Sequence, residues 1–234
     1  DDDDIQAVVQ VLKSDYLTTG PVTSKFEAKL AVKTAAKHAV CVSSGTAALH
    51  LAALTLRLEA EDIVIVPTIT FLATANAPRY VGARVVFADV DPNTGLMGPS
   101  HLNQALERAS GKAKAVFPVH LAGQCADMAG ISEIARKHEL AIVEDASHAL
   151  GAHYFNDNTD CQIGGCNDSD LTVFSFHPVK SIAMGEGGAI TTNDGQHAER
   201  LKRLRSHGME RSATSFKNDD LAFAKDTGVN PWYY

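Results

Sequence analysis

Residues 39–57 read AVCVSSGTAALHLAALTLR, and the order of residue types in this stretch decides the fold class. Ala39 to Ser43 is a short apolar run with two valines, suited to a pleated strand. Ser44 and Gly45 are turn and cap residues. Thr46 to Arg57 is rich in alanine and leucine and long enough for three helical turns. The stretch is free of charge from Ala39 to Leu56, yet Ser43, Ser44, Gly45 and Thr46 interrupt it, so strand, turn and helix explain it better than a bilayer span.

The same alternation extends in both directions. Strands are expected at Asp62 to Val66, Arg84 to Ala88, Ala113 to Phe117 and Leu140 to Val143. Between them lie helical patterns at Phe71 to Val81, Pro99 to Ala109 and Asp127 to His138. Strands separated by helices require crossover connections, which predicts an α/β fold with a mostly parallel sheet covered by helices on both faces. Upstream, Asp3 to Ser14 places Ile5, Val8, Val9 and Leu12 at helical spacing, and Ser24 is a candidate cap for a helix burying Phe26, Leu30 and Ala31. Downstream the rhythm changes. Asn156 to Asp170 reads as a polar loop, and strands at Leu171 to Phe176 and Ala189 to Thr192 follow without room for a helix between them. The expected division is an N-terminal helix over 1–14, one large domain over 15–210, and over 211–234 the start of a connection to a further domain. Pro231-Trp-Tyr-Tyr234 is an aromatic cluster that needs a partner surface, as at a truncation inside a larger protein.

The chain has 234 residues, 45% hydrophobic and 21% charged, the balance of a globular protein. Its 21 Lys and Arg against 28 Asp and Glu give a net charge of −7, which disfavours a phosphate-tracking nucleic-acid binder. Four cysteines in a chain of this length do not form the framework of a small secreted domain, and Asp1-Asp2-Asp3-Asp4 is unlike a cationic signal peptide. A cytoplasmic, non-membrane protein is expected.

In open α/β sheets, ligands bind outside the carboxyl ends of the strands, and four segments fall there. Ser43 to Ala47 could cradle an anion on a helix N-terminus, or be an ordinary capped turn. Glu144-Asp145-Ala146-Ser147-His148 ends an apolar strand with carboxylates that need a facing cation or donor, unless one of them simply caps a helix. Phe174-Ser-Phe-His-Pro-Val-Lys180, followed by Gly185-Glu-Gly-Gly188, presents a lysine between strands with glycines around it. It is either solvated or an amine nucleophile. Pro67 to Phe71 offers an aromatic ring for a flat ligand or for the core. No Walker loop and no Gly-x-Gly-x-x-Gly follows the first strand, which leaves dinucleotide chemistry without support. Anion cradle, buried acid, amine and aromatic plate together suit pyridoxal phosphate, whose chemistry needs a lysine Schiff base and an acid at the pyridinium nitrogen. Cys161-x4-Cys166 lacks a second pair for zinc. Arg200 to Arg211 reads as the solvated face of a helix.

FSFHPVKSIAMGEGGAITTND at 174–194 closely resembles the cofactor-lysine segment of the DegT/DnrJ/EryC1/StrS aminotransferases. SSGTAALH, PTITFLATANA, DVDP, PVHLAGQ and VEDASHALGA follow the same family in order. The resemblance implies the aspartate-aminotransferase fold (fold type I), pyridoxal 5'-phosphate as cofactor, and a homodimer with active sites at the subunit interface. It further implies that Lys180 joins the cofactor covalently and that Asp145 pairs with the ring nitrogen. His148 would lie against the ring near its hydroxyl, with Phe71 on the other face, while Gly45, Thr46, Ala47 and Ser175 hold the phosphate. Glu186 is implied to shape the site. Within the family, HPVK, EDASHALGA, RSHG and PWYY are most like the pseudaminic acid branch, which aminates C4 of a UDP-linked 4-keto-6-deoxy sugar with L-glutamate as donor. Two departures stand out. Ser181 to Met184 replace residues that are more often threonine, and the chain ends before the family's Asn-Tyr-Arg-like segment and C-terminal domain. The competing expectations are an inactive fragment or regulatory member of the fold, and a sugar dehydratase, in which histidine replaces the lysine.

Overall fold

The computed structural model describes residues 1–110, 112–156 and 159–208 of the 234. Two helices, α1 (Asp2–Leu12) and α2 (Pro21–Thr34), precede an alternating series. It runs β1 (His38–Val42), α3 (Gly45–Thr55), β2 (Ile63–Pro67), α4 (Leu72–Tyr80), β3 (Arg84–Ala88), α5 (Pro99–Arg108), β4 (Ala113–Val116), α6 (Met128–Lys137) and β5 (Ala141–Asp145). After β5 come a hairpin, β6 (His153–Asn156) and β7 (Thr159–Gln162), then β8 (Leu171–Ser175), β9 (Gly188–Thr192) and α7 (Gly195–Arg205). The main sheet has seven strands in the order β1-β9-β8-β5-β4-β2-β3. All of them run one way except β9, which pairs antiparallel with β1 and β8.

The two-residue period of the central strands sorts the core into two layers. Val64, Val66, Ala115 and Val143 pack towards α3, α4 and α7, while Ile65, Val116 and Ile142 pack towards α5 and α6. All five residues of β2 are buried, as a parallel strand covered on both faces requires. Helix α3 buries Ala48, Leu49, Ala52, Ala53 and Thr55, because it lies between the sheet and the neighbouring helices α4 and α7.

Several expectations need correction. Helix α2 is capped by Gly20 without a side-chain bond and starts on Pro21, whose fixed φ suits the first helical position, so Ser24 lies inside the helix. Part of the expected 156–170 loop is the β6–β7 hairpin. Its polar groups are satisfied by the buried Asp168 carboxylate, which accepts from Tyr154 (2.7 Å) and Asn156 (3.0 Å), while the Tyr154 ring packs against the core. The basic residues of α7 are not simply solvated: Arg200 donates to the Leu54 carbonyl at the end of α3 (3.1 Å), and Arg205 pairs with Glu27. Helix α1 forms as expected but buries none of its residues. The expectations for 211–234, including the Pro231–Tyr234 cluster, lie outside the described residues. Among those described, no helix is long and apolar enough to cross a membrane.

Candidate active site

The carboxyl ends of β1, β2, β4, β5 and β8 share one edge of the sheet. Because β9 runs in reverse, the turn that enters it also lies there. This edge holds a cavity of about 610 Å³ lined by Gly45, Thr46, Phe71, Asp145, His148, Ser175 and Lys180. Seven of the eight residues singled out in the sequence therefore line one cavity. Ala47 does not; its N–H donates to the Ser44 hydroxyl (3.1 Å), and it faces a separate hollow beside Cys41 and Arg205. Glu186 lines the cavity, as do His120, Ser147, His177 and Val179, which sequence reasoning did not select.

At the α3 end, Ser44 caps the helix with its hydroxyl and carbonyl, which accept from Ala47 and Ala48. The N–H groups of Gly45 and Thr46 have no partner among the described residues, as first-turn donors have none within a helix. Ser175 from β8 stands against them. A Cβ built on Gly45 would sit 2.8 Å from that of Ser175, and one on Gly188 would collide with the Ser44 carbonyl. Only glycine at both positions lets the strand ends close to this distance. The result is two free amide donors, a hydroxyl and the positive end of a helix, which is the donor set for a phosphate.

Asp145 is the last residue of β5 and is 4% exposed. Its Oδ1 accepts from the Ser147 N–H (3.1 Å) and its Oδ2 from the Thr74 hydroxyl (2.6 Å). No helix follows it, so the capping alternative is set aside. Glu144 points to the other face of the sheet and accepts from Ser169, Thr172 (2.8 Å) and the His120 ring (2.8 Å). The second His120 nitrogen accepts from the Ala126 N–H (3.1 Å), which assigns the ring proton to Nε2 and makes His120 a neutral donor to Glu144. Burial alone raises the Glu144 carboxyl; the donors from His120, Ser169 and Thr172 outweigh it and hold the group below its ordinary range.

Lys180 sits at the first bend of the β8–β9 turn, its N–H bonded to the His177 carbonyl (2.9 Å). Partial burial lowers its amine, with Asp145 opposing the shift. Partial burial also lowers His148, helped by the charge of Lys180 and opposed by Asp145. Both shifts favour the uncharged, nucleophilic forms. Phe71 caps α4 and is 74% exposed at the cavity, so it is not a core residue. Neither Thr74 nor His120 carried a periodic or spacing signal; both lie inside the quoted strings PTITFLATANA and PVHLAGQ. Cys161 and Cys166 are buried free thiols, and burial, with Glu144 nearby, pushes Cys166 up to about 12. Among the described residues, no group of three or more His, Cys, Asp or Glu could hold a metal ion.

A seven-stranded sheet with one reversed strand, carrying a lysine, a buried acid and an anion cradle at one edge, defines an aspartate-aminotransferase-like α/β protein of fold type I. The chain belongs to the DegT/DnrJ/EryC1/StrS aminotransferase family, whose model matches residues 1–230. It is 41% identical over 232 residues to the spore coat polysaccharide biosynthesis protein SpsC of Bacillus subtilis, covering 99% of this chain and 55% of that one. To the UDP-4-amino-4-deoxy-L-arabinose–oxoglutarate aminotransferase of Shewanella sediminis it is 37% identical, covering 89% and 51%. Among solved structures, Helicobacter pylori PseC, an aminotransferase of pseudaminic acid biosynthesis, superposes with a TM-score of 0.81 at 30% identity, covering 99% and 57%. Others of the same fold were solved in PLP and PMP forms at 31–32% identity. The chain spans about half the length of the curated relatives it matches.

Proposed function

We propose that this chain carries the cofactor site of a pyridoxal-phosphate-dependent aminotransferase. It would move an amino group from L-glutamate to C4 of a nucleotide-linked 4-keto-6-deoxy sugar. The carrying observation is the convergence of Lys180, Asp145, His148, Phe71 and the Gly45–Thr46–Ser175 cradle on one cavity. When bound, pyridoxal phosphate supplies an aldehyde carbon for amine capture and a ring that accepts electrons.

The chain's own residues divide the remaining work. The Gly45 and Thr46 amides and the Ser175 hydroxyl hold the phosphate. Asp145 keeps the ring nitrogen protonated, so that negative charge developing as a Cα–H bond breaks is met by a fixed ion pair. Phe71 and His148, both in the cavity lining, would hold the ring. Lys180, its amine lowered by burial, would take the proton from the amino-acid Cα and deliver it to the carbon that had been the cofactor's aldehyde. The same steps in reverse deliver the amine to the sugar ketone, which makes the kinetics ping-pong.

The finer reading is a cytoplasmic homodimeric enzyme acting on a UDP-linked N-acetyl sugar in the pseudaminic acid branch. It is supported by the quoted motifs and by the likeness to PseC. The test is covalent capture. Protein incubated with pyridoxal phosphate and reduced with borohydride is expected to carry a pyridoxyl label on the peptide containing Lys180. Lys180→Ala is expected to carry none. Equal labelling of the variant would overturn the assignment.

A further inference from the structure

We propose that Thr74 is a positioning residue that locks the Asp145 carboxylate and ties it to the stacking face provided by Phe71. The inference rests on the cofactor reading above and extends it to a residue outside the cavity lining. Thr74 is the third residue of α4 and fully buried. Its N–H donates to the Phe71 carbonyl (3.1 Å), closing the first turn of the helix on the residue that presents the aromatic ring. Its hydroxyl donates to Asp145 Oδ2 (2.6 Å) and accepts from the Thr70 hydroxyl (2.8 Å).

The direction of this chain of bonds is forced. An ionised carboxylate only accepts, so the single hydroxyl proton of Thr74 goes to Asp145, and the Thr70 proton must point at Thr74. With Ser147 N–H on the other oxygen, each carboxylate oxygen has one lone pair engaged by protein and one left for the cavity. Rotation about the Asp145 side chain would break the Thr74 bond and leave a fully buried hydroxyl without its acceptor, which is costly. One side chain therefore fixes the acid, through its hydroxyl, and the entry to α4, through its amide. Because Asp145 has the same strand parity as Val143, it faces the α3–α4 layer, and from that layer α4 supplies the side-chain donor that reaches its carboxylate.

Thr74→Val keeps the shape and removes the donor; Thr74→Ser keeps the donor. Pyridoxal phosphate affinity, read by equilibrium dialysis and by the bound-cofactor absorbance band, is expected to fall about 10- to 100-fold in T74V and to return to within about threefold of wild type in T74S. In a D145N background, T74V is expected to have less than about a threefold further effect, because Thr74 acts through Asp145. Thermal melting of each variant separates this from loss of fold, and T74S rescue separates it from lost packing. Wild-type affinity and band position in T74V would overturn the inference, as would an undiminished T74V effect in D145N. A wild-type chain that takes up no pyridoxal phosphate would instead overturn the functional reading on which the inference depends.

Discussion

Glu144 and Asp145 are neighbours on one strand, equally buried, yet their surroundings are opposite in kind. Glu144 faces the interior, is buried, and meets three side-chain donors, from Ser169, Thr172 and His120. Asp145 faces the strand-end cavity and, among the described residues, meets two donors, which orient it without using its full acceptor capacity. A buried carboxylate with three protein donors holds structure together. An oriented carboxylate with free lone pairs facing a cavity is available for a ligand. Two residues of the same charge can thus be sorted by counting donors and asking what remains.

The largest expected separation comes from removing one acid at a time. Asp145→Asn keeps the shape and deletes the charge; turnover or cofactor affinity is expected to fall on the order of 10²–10³-fold, as for loss of a preorganised electrostatic partner. Its unfolding free energy in urea is expected to change by only about 1 kcal/mol. Glu144→Ala strands the His120, Ser169 and Thr172 donors in a dry interior and is expected to cost about 3 kcal/mol of stability. Cofactor affinity of the folded E144A protein is expected to stay within about tenfold of wild type. If E144A spared stability while D145N lost it, the division between the two carboxylates would be reversed.

The sequence made one of these acids legible and hid the other's role. The strand pattern of Leu140 to Val143 put both carboxylates at a ligand-binding edge, but their faces depend on the register of β5 against β4 and β8, which fixes Asp145 with Val143 and Glu144 with Ile142. The alternation of strands and helices gave the parallel layers, and the glycines around Lys180 pointed to the turn that presents it. Thr74 and His120 were silent because their importance comes from contacts across 71 and 24 residues of sequence with the acids they serve. Ala47 was misplaced for a local reason: Ser44 takes its N–H, which leaves only Gly45 and Thr46 free. The β6–β7 hairpin is not legible in the sequence because its strands are short and polar, and Asp168, distant in sequence, satisfies the Tyr154 hydroxyl and the Asn156 amide.

The smallest expected effect is also the most discriminating, because pH titrates the two sides of β5 in different windows. Glu144 lies below its ordinary value of 4.5 when folded. Its contribution is therefore fully present above that value and is lost as pH falls through the folded value, since the unfolded chain takes up the proton first. His148, on the cavity side, is lowered from 6.5 by burial and by Lys180. For this base, too, the unfolded chain binds the proton first, so stability declines as pH drops from 6.5 towards the folded value. A urea-melt series against pH is therefore expected to show a shallow early decline that disappears in His148→Asn, and a later one, below 4.5, that is reduced in Glu144→Ala. If H148N left the early decline intact, the burial of His148 beside Lys180 would not be the source of it.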